Sequence, residues 1–172
     1  TRPLTELFDD IKQGDIYLNN CPYTGGTHHA DLIMAMPVFY NDEPLFWVVA
    51  LSHHADTGAP APSTYLPFAR NIFEEGMHFP CVRVAQNYKD KKDILRIGAM
   101  RNRVPELWLG DVAAQSGACR TAERESSSRL CGAASSRGPL RAVCASSAWK
   151  SSGRCCHCRQ SSWGSSMAQA VL

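Results

Sequence analysis

Two apolar runs rich in β-branched and aromatic residues, 32–40 and 45–51, flank the polar triplet Asn41-Asp42-Glu43. Runs of that length and composition read as strands, and the triplet reads as a turn, so the pair predicts an antiparallel hairpin. With the turn centred near Asp42, position i lies opposite position j where i + j is about 84. Asp31 is then expected opposite His53, and His28 opposite Asp56. Four of the six histidines sit in two short clusters, GGTHHAD at 25–31 and SHHADTG at 52–58. The hairpin brings both clusters to its open end.

Imidazole nitrogen together with carboxylate oxygen suits Mn, Fe or Zn, and neither cluster contains the cysteines of a structural thiolate zinc site. An open catalytic metal site drawing on His28, Asp31, His53, His54 and Asp56 is therefore expected. Neighbouring strand residues point to opposite faces, so His53 and His54 are not expected to bind one ion together. The other histidine would orient a ligand or a substrate oxygen, and the pattern leaves open which takes which role. Gly25 and Gly26 permit a tight turn and a close backbone approach to a ligand.

The chain of 172 residues has length enough for one domain with a real core, but its composition breaks near residue 124. Of sixteen acidic residues only Glu125 lies beyond Glu123, and the stretch 125–172 holds thirteen serines and five of the eight cysteines. Such a stretch has little to bury. The expected organisation is a folded unit at 1–124 followed by an irregular or disordered Ser/Cys/Arg-rich tail at 125–172. The net charge of +2 does not point to nucleic acid, and no apolar run reaches the ~20 residues of a membrane span. A soluble, cytoplasmic protein is expected. The chain lacks an initiator methionine, which fits an internal piece of something longer. Cys21, Cys81 and Cys119 are expected as buried free thiols. The tail motif Cys155-Cys156-His157-Cys158 contains a C-x-x-C spacing but no second well-spaced pair to complete a zinc knuckle.

The remaining periodicities predict a strand within 14–20, a short helix at 67–76, and a strand at 81–84. A helix at 90–101 would carry Ile94, Leu95, Ile97 and Met100 on one face, and another would run from Pro105 through Leu109, Val112, Ala113 and Cys119 toward Arg124. Glu74, Glu75 and His78 read as solvated or loop residues, and Arg101, Arg103 and Arg120 as anion binders without a visible partner. The fold class is mixed α/β of the α+β kind, with a hairpin-borne His/Asp site followed by helices.

The segments GDIYLNNCPYTGGTHHAD, PVFY, SHHADTG, IFEEGMHFPCVRV and RVPELWLGDVAAQSGACRTAER, in that order over roughly residues 7–124, resemble the hydantoinase B/oxoprolinase B family. The resemblance implies ATP-dependent hydrolysis of a cyclic amide, a hydantoin or 5-oxoproline, as one part of a hetero-oligomer. The implied partner is a hydantoinase A-like subunit that binds ATP. It also implies a divalent metal held by a His-x-x-Asp motif and a later histidine, matching His28, Asp31 and one of His53 or His54. The assignment carried forward places His28, Asp31 and His54 on the metal, His53 and Asp56 in catalysis, and Gly25, Gly26, Thr27 and His29 in a substrate loop. An ATP-driven carboxylase subunit of the same family is the nearest alternative, and a metal- or partner-binding piece without turnover is another. Family members are several times longer, and the composition beyond 124 resembles out-of-frame translation, so no function is carried onto the tail.

Overall fold

The computed structural model describes residues 2–136, apart from Ser63 and Tyr65. A five-stranded antiparallel sheet carries two long elements on one face and a short helix on the other. In chain order these are α1 (Arg2–Leu7), β1 (Ile16–Asn19), β2 (Asp31–Tyr40), β3 (Glu43–His53), β4 (Val82–Gln86), β5 (Lys89–Asp90), α2 (Lys92–Arg101) and α3 (Pro105–Ser136). The strand order is β3-β2-β1-β4-β5.

The β2–β3 hairpin forms because Asn41 and Asp42 both take positive φ, 55° and 65°. Such a two-residue connection matches the right-handed twist of its flanking strands, and Asn and Asp tolerate that conformation better than most residues. Register follows the expected rule from Asp31↔His53 to Val38↔Phe46, then shifts by one at Phe39. Even-numbered β2 residues Leu32, Met34 and Met36 are buried on one face with Ile16, Leu18 and Val84. Burying each such large side chain is worth about 1.5–3 kcal/mol.

The cover over that face is α3, whose buried positions Trp108, Val112, Gln115, Ser116, Cys119 and Glu123 recur at helical spacing. On the opposite face Leu4, Tyr17, Ala35 and Cys81 cluster with Phe8, Ile11 and Trp47. Central β1 is thus buried on both sides, and Tyr17 is as hidden as Ile16. Cys21, Cys81 and Cys119 are buried free thiols.

Several expected elements differ. The helix expected at 67–76 is a single 3-10 turn, Ile72–Glu75, closed by Gly76 at φ 98°. Phe68 and Phe73 are exposed there, so no apolar face holds a longer helix. In α2, Ile94, Leu95 and Ala99 pack on the core whereas Ile97 and Met100 are exposed. The reason is Gly98, which lets the Trp108 ring come against the α2 backbone and turns that side inward. Helix α3 does not stop near Arg124 but continues to Ser136. The expected tail beyond that point, with its Cys155-Cys158 spacing, lies outside the described residues. No helix among the described residues is long and apolar enough to cross a membrane.

Candidate functional site

The open end of the β2–β3 hairpin is where the site forms. Asp31 is the first residue of β2 and His53 the last of β3, paired across the ladder. His28 lies one turn before Asp31, and its carbonyl accepts from the Asp31 amide at 3.1 Å. His28 Nε2 stands 3.1 Å from Asp31 Oδ2, and the His28 and His53 rings meet edge to face at 5.2 Å. One donor atom from each of His28, Asp31 and His53 lies within 4.8 Å of the other two. Two imidazoles and one carboxylate, without sulfur, form a donor set suited to Mn, Fe or Zn with coordination positions left open. Thr27 donates its hydroxyl to Asp31 Oδ2, the same oxygen that faces His28 Nε2, and so helps to fix the carboxylate.

Two buried asparagines hold this loop in place. Asn20 Nδ2 donates to the His29 carbonyl at 2.8 Å and the Met77 carbonyl at 2.9 Å, while its Oδ1 accepts from the Phe79 amide at 2.7 Å. Asn19 Oδ1 accepts from the Thr24 hydroxyl at 2.7 Å and from the Cys21 amide at 3.1 Å. Gly25 adopts φ 93°, and a side chain at Gly26 would strike the Cys21 carbonyl, so both glycines shape the turn. His29 is not one of the donor group; it is buried and stacked on His78 at 5.1 Å. Burial pushes its imidazole below the usual value, against the opposing pull of Glu75.

The structure separates the two histidines that follow Ser52. His53, expected in catalysis, joins His28 and Asp31, whereas His54, expected on the metal, does not. The strand period sends the two rings to opposite faces. The His54 amide still pairs with the Ala30 carbonyl at 2.8 Å, but its ring lies on the α3 side, with Nε2 3.1 Å from Gln115 Oε1. Nor does Asp56 face His28, because β3 ends at His53 and the chain turns. Asp56 Oδ1 accepts from the Gly58 amide at 2.9 Å and from Arg103 Nη1 at 2.8 Å, and Oδ2 from the Arg103 amide at 2.9 Å. Burial alone would raise this carboxyl, but those amides and the guanidinium outweigh it and hold it below the usual carboxylate range. Asp56 is thereby engaged as a clamp between the loop after β3 and the start of α3. Arg103 finds its anion within the chain, as does Arg120 at Asp90. Gln115 carried no recognisable signal in sequence, and the Asn19-Asn20 pair reads there only as turn formers.

Fold and donor set together define an α+β domain that displays a two-histidine, one-carboxylate group at the mouth of a hairpin. The family model for hydantoinase B/oxoprolinase matches residues 1–135. The chain belongs to the hydantoinase B/oxoprolinase family. It is 36% identical over 116 residues to caprolactamase subunit beta of Pseudomonas jessenii, covering 67% of this chain and 20% of the relative. Acetophenone carboxylase delta subunit of Aromatoleum aromaticum is 35% identical over 117 residues, covering 67% of this chain and 17% of the relative. The crystal structure of the ATP-dependent caprolactamase from Pseudomonas jessenii superimposes with a TM-score of 0.68 at 32% identity, covering 83% of this chain and 25% of that one. The chain thus spans about a fifth of the length of these two curated relatives.

Proposed function

We propose that this chain supplies the metal-holding part of an ATP-dependent cyclic-amide hydrolase, acting with an A-type ATPase subunit on a hydantoin- or 5-oxoproline-like ring. The observation that carries the reading is the convergence of His28, Asp31 and His53 at the hairpin mouth. Membership of a family whose relatives include a caprolactamase subunit supports it. A divalent ion bound there would polarise a ring carbonyl or lower the pKa of water. The protein's own part is positioning. Thr27 and His28 orient the Asp31 carboxylate, and the exposed His53 ring keeps one side of the group open to substrate. In this reading Asp56 and His54 are not ligands, and ATP enters through the partner.

A chimera tests the proposal. Residues 1–135 of this chain would replace the matching segment of the Pseudomonas jessenii caprolactamase subunit beta, with its ATPase partner and ATP present. ATP-dependent opening of the lactam ring, abolished by His53→Ala, is the expected result. A folded, metal-loaded chimera that opens no ring would contradict it. The near-equal identity to the acetophenone carboxylase subunit favours one second reading, an ATP-driven carboxylase. The same segment placed in that delta subunit, supplied with acetophenone and bicarbonate, distinguishes the two by product.

A further inference from the structure

We propose that a recess on the α1 side of the sheet, one strand step from the hairpin donor group, receives the non-reacting hydrocarbon part of the cyclic substrate and selects rings without a charged substituent. The reacting end of that ligand rests on the hydrolase reading above, whereas the recess stands on its own geometry. Its volume is about 130 Å³, and its apolar wall comes from Leu4, Tyr17, Ile33, Ala35 and Val49. Complete small-ligand pockets span about 300–1,000 Å³. The recess therefore fits one part of a ligand whose remainder extends beyond it.

Strand geometry places the recess beside the donor group. Side chains two apart on a strand share a face, so Asp31, Ile33 and Ala35 of β2 lie on one side of the sheet. Across the ladder Asp31 pairs with His53, Ile33 with Leu51 and Ala35 with Val49. One step of two residues, from Asp31 to Ile33, covers about 7 Å, the scale of a small ring. Leu51 and Val49, 57% and 51% exposed, carry open apolar surface from His53 to the recess. Thr24 and Gly25 at its rim belong to the loop that continues to Thr27 and His28. A polar donor group at one end of an apolar strip suits a ligand with a polar reacting end and a hydrocarbon body.

The polar groups that border the recess are engaged within the chain. Asn19 Nδ2 donates to the Thr24 carbonyl at 3.1 Å, and its Oδ1 accepts from the Thr24 hydroxyl and from the Cys21 and Cys81 amides. The Tyr17 hydroxyl donates to Asp15 Oδ2 at 3.1 Å. No charged side chain is among the described residues lining the recess. A carboxylate entering there would lose water without gaining a counter-charge. Each ring methylene buried there instead raises affinity about fourfold.

The probes are ε-caprolactam, 2-pyrrolidinone and 5-oxoproline, titrated at pH 7 into the 172-residue chain with and without added Zn and followed by the Ile33 and Val49 methyl resonances. The first two differ by two ring methylenes, and the last two by one carboxylate. Saturable movement of both methyl signals is expected, about tenfold tighter for ε-caprolactam than for 2-pyrrolidinone and at least tenfold weaker for 5-oxoproline than for 2-pyrrolidinone. Val49→Trp, at a half-exposed position, fills the recess and should weaken ε-caprolactam at least tenfold while leaving the Zn content of the folded chain unchanged. Methyl shifts by ε-caprolactam in a chain that holds no Zn would uphold the recess and count against the metal-dependent reading alone. Zn held without those shifts would overturn the recess and leave that reading intact. Affinity for 5-oxoproline equal to that for 2-pyrrolidinone, or full ε-caprolactam affinity in folded Val49→Trp, would also overturn it.

Discussion

A strand's two-residue period places adjacent side chains on opposite faces, and at the end of β3 this divides His53 from His54 between two environments. His53 meets His28 and Asp31 at an open edge, while His54 is buried and bonded to Gln115. The sequence shows both histidines but not the face each takes, because a one-residue difference in where the strand stops exchanges them. Asn20 illustrates another limit: a polar residue in a run of turn formers is read as surface, yet here it is fully buried and bonded to three backbone groups. Asn20→Ala strands those groups, so urea unfolding should show a loss of about 3 kcal/mol, accompanied by weaker metal retention at His28. Asp56 gives a pH signature. Its folded pKa lies below the ordinary carboxylate value. The stabilisation is therefore full above the unfolded pKa of about 3.9 and is lost as pH falls through the lowered folded value. The difference in Tm between the native chain and Asp56→Asn should be largest near neutrality and shrink below about pH 4.

Among the elements, the hairpin was the most legible. Two apolar runs rich in β-branched and aromatic residues and the polar triplet between them set one register, which the structure follows from Asp31 to Val38. Helix α3 was legible in its start at Pro105 and in Val112 and Cys119, but not in the rest of its buried face, because Gln115, Ser116 and Glu123 occupy part of the hidden stripe and blur the apolar period. The segment 67–76 misled for the opposite reason: its aromatic residues Phe68 and Phe73 remain exposed and bury nothing. Where α2 crosses α3, a Cβ at Gly98 would fall 2.1 Å from the Trp108 ring. Gly98→Ala should therefore destabilise by about 1–3 kcal/mol through overpacking, despite the higher helix propensity of alanine. Denaturant midpoints would check this, and an increase in stability would show that the two helices do not meet as closely as described.

At the scale of the whole molecule, the sheet separates two chemistries. The core face carries α3 and the Gln115–His54 pair, whereas the far edge of the hairpin carries the exposed donor group. Family membership accounts for the order of motifs along residues 1–135, and the register of one hairpin accounts for how three of those residues meet. The account therefore stands on which histidine completes the donor set. The direct measurement is Mn and Zn content by mass spectrometry after equilibration and desalting, on the 172-residue chain and its His28→Ala, Asp31→Ala, His53→Ala and His54→Gln variants, with circular dichroism confirming that each is folded. One ion per chain in the native protein and in His54→Gln, lost from the other three, is the predicted result. Metal retained by a folded His53→Ala chain and lost from a folded His54→Gln chain would contradict it.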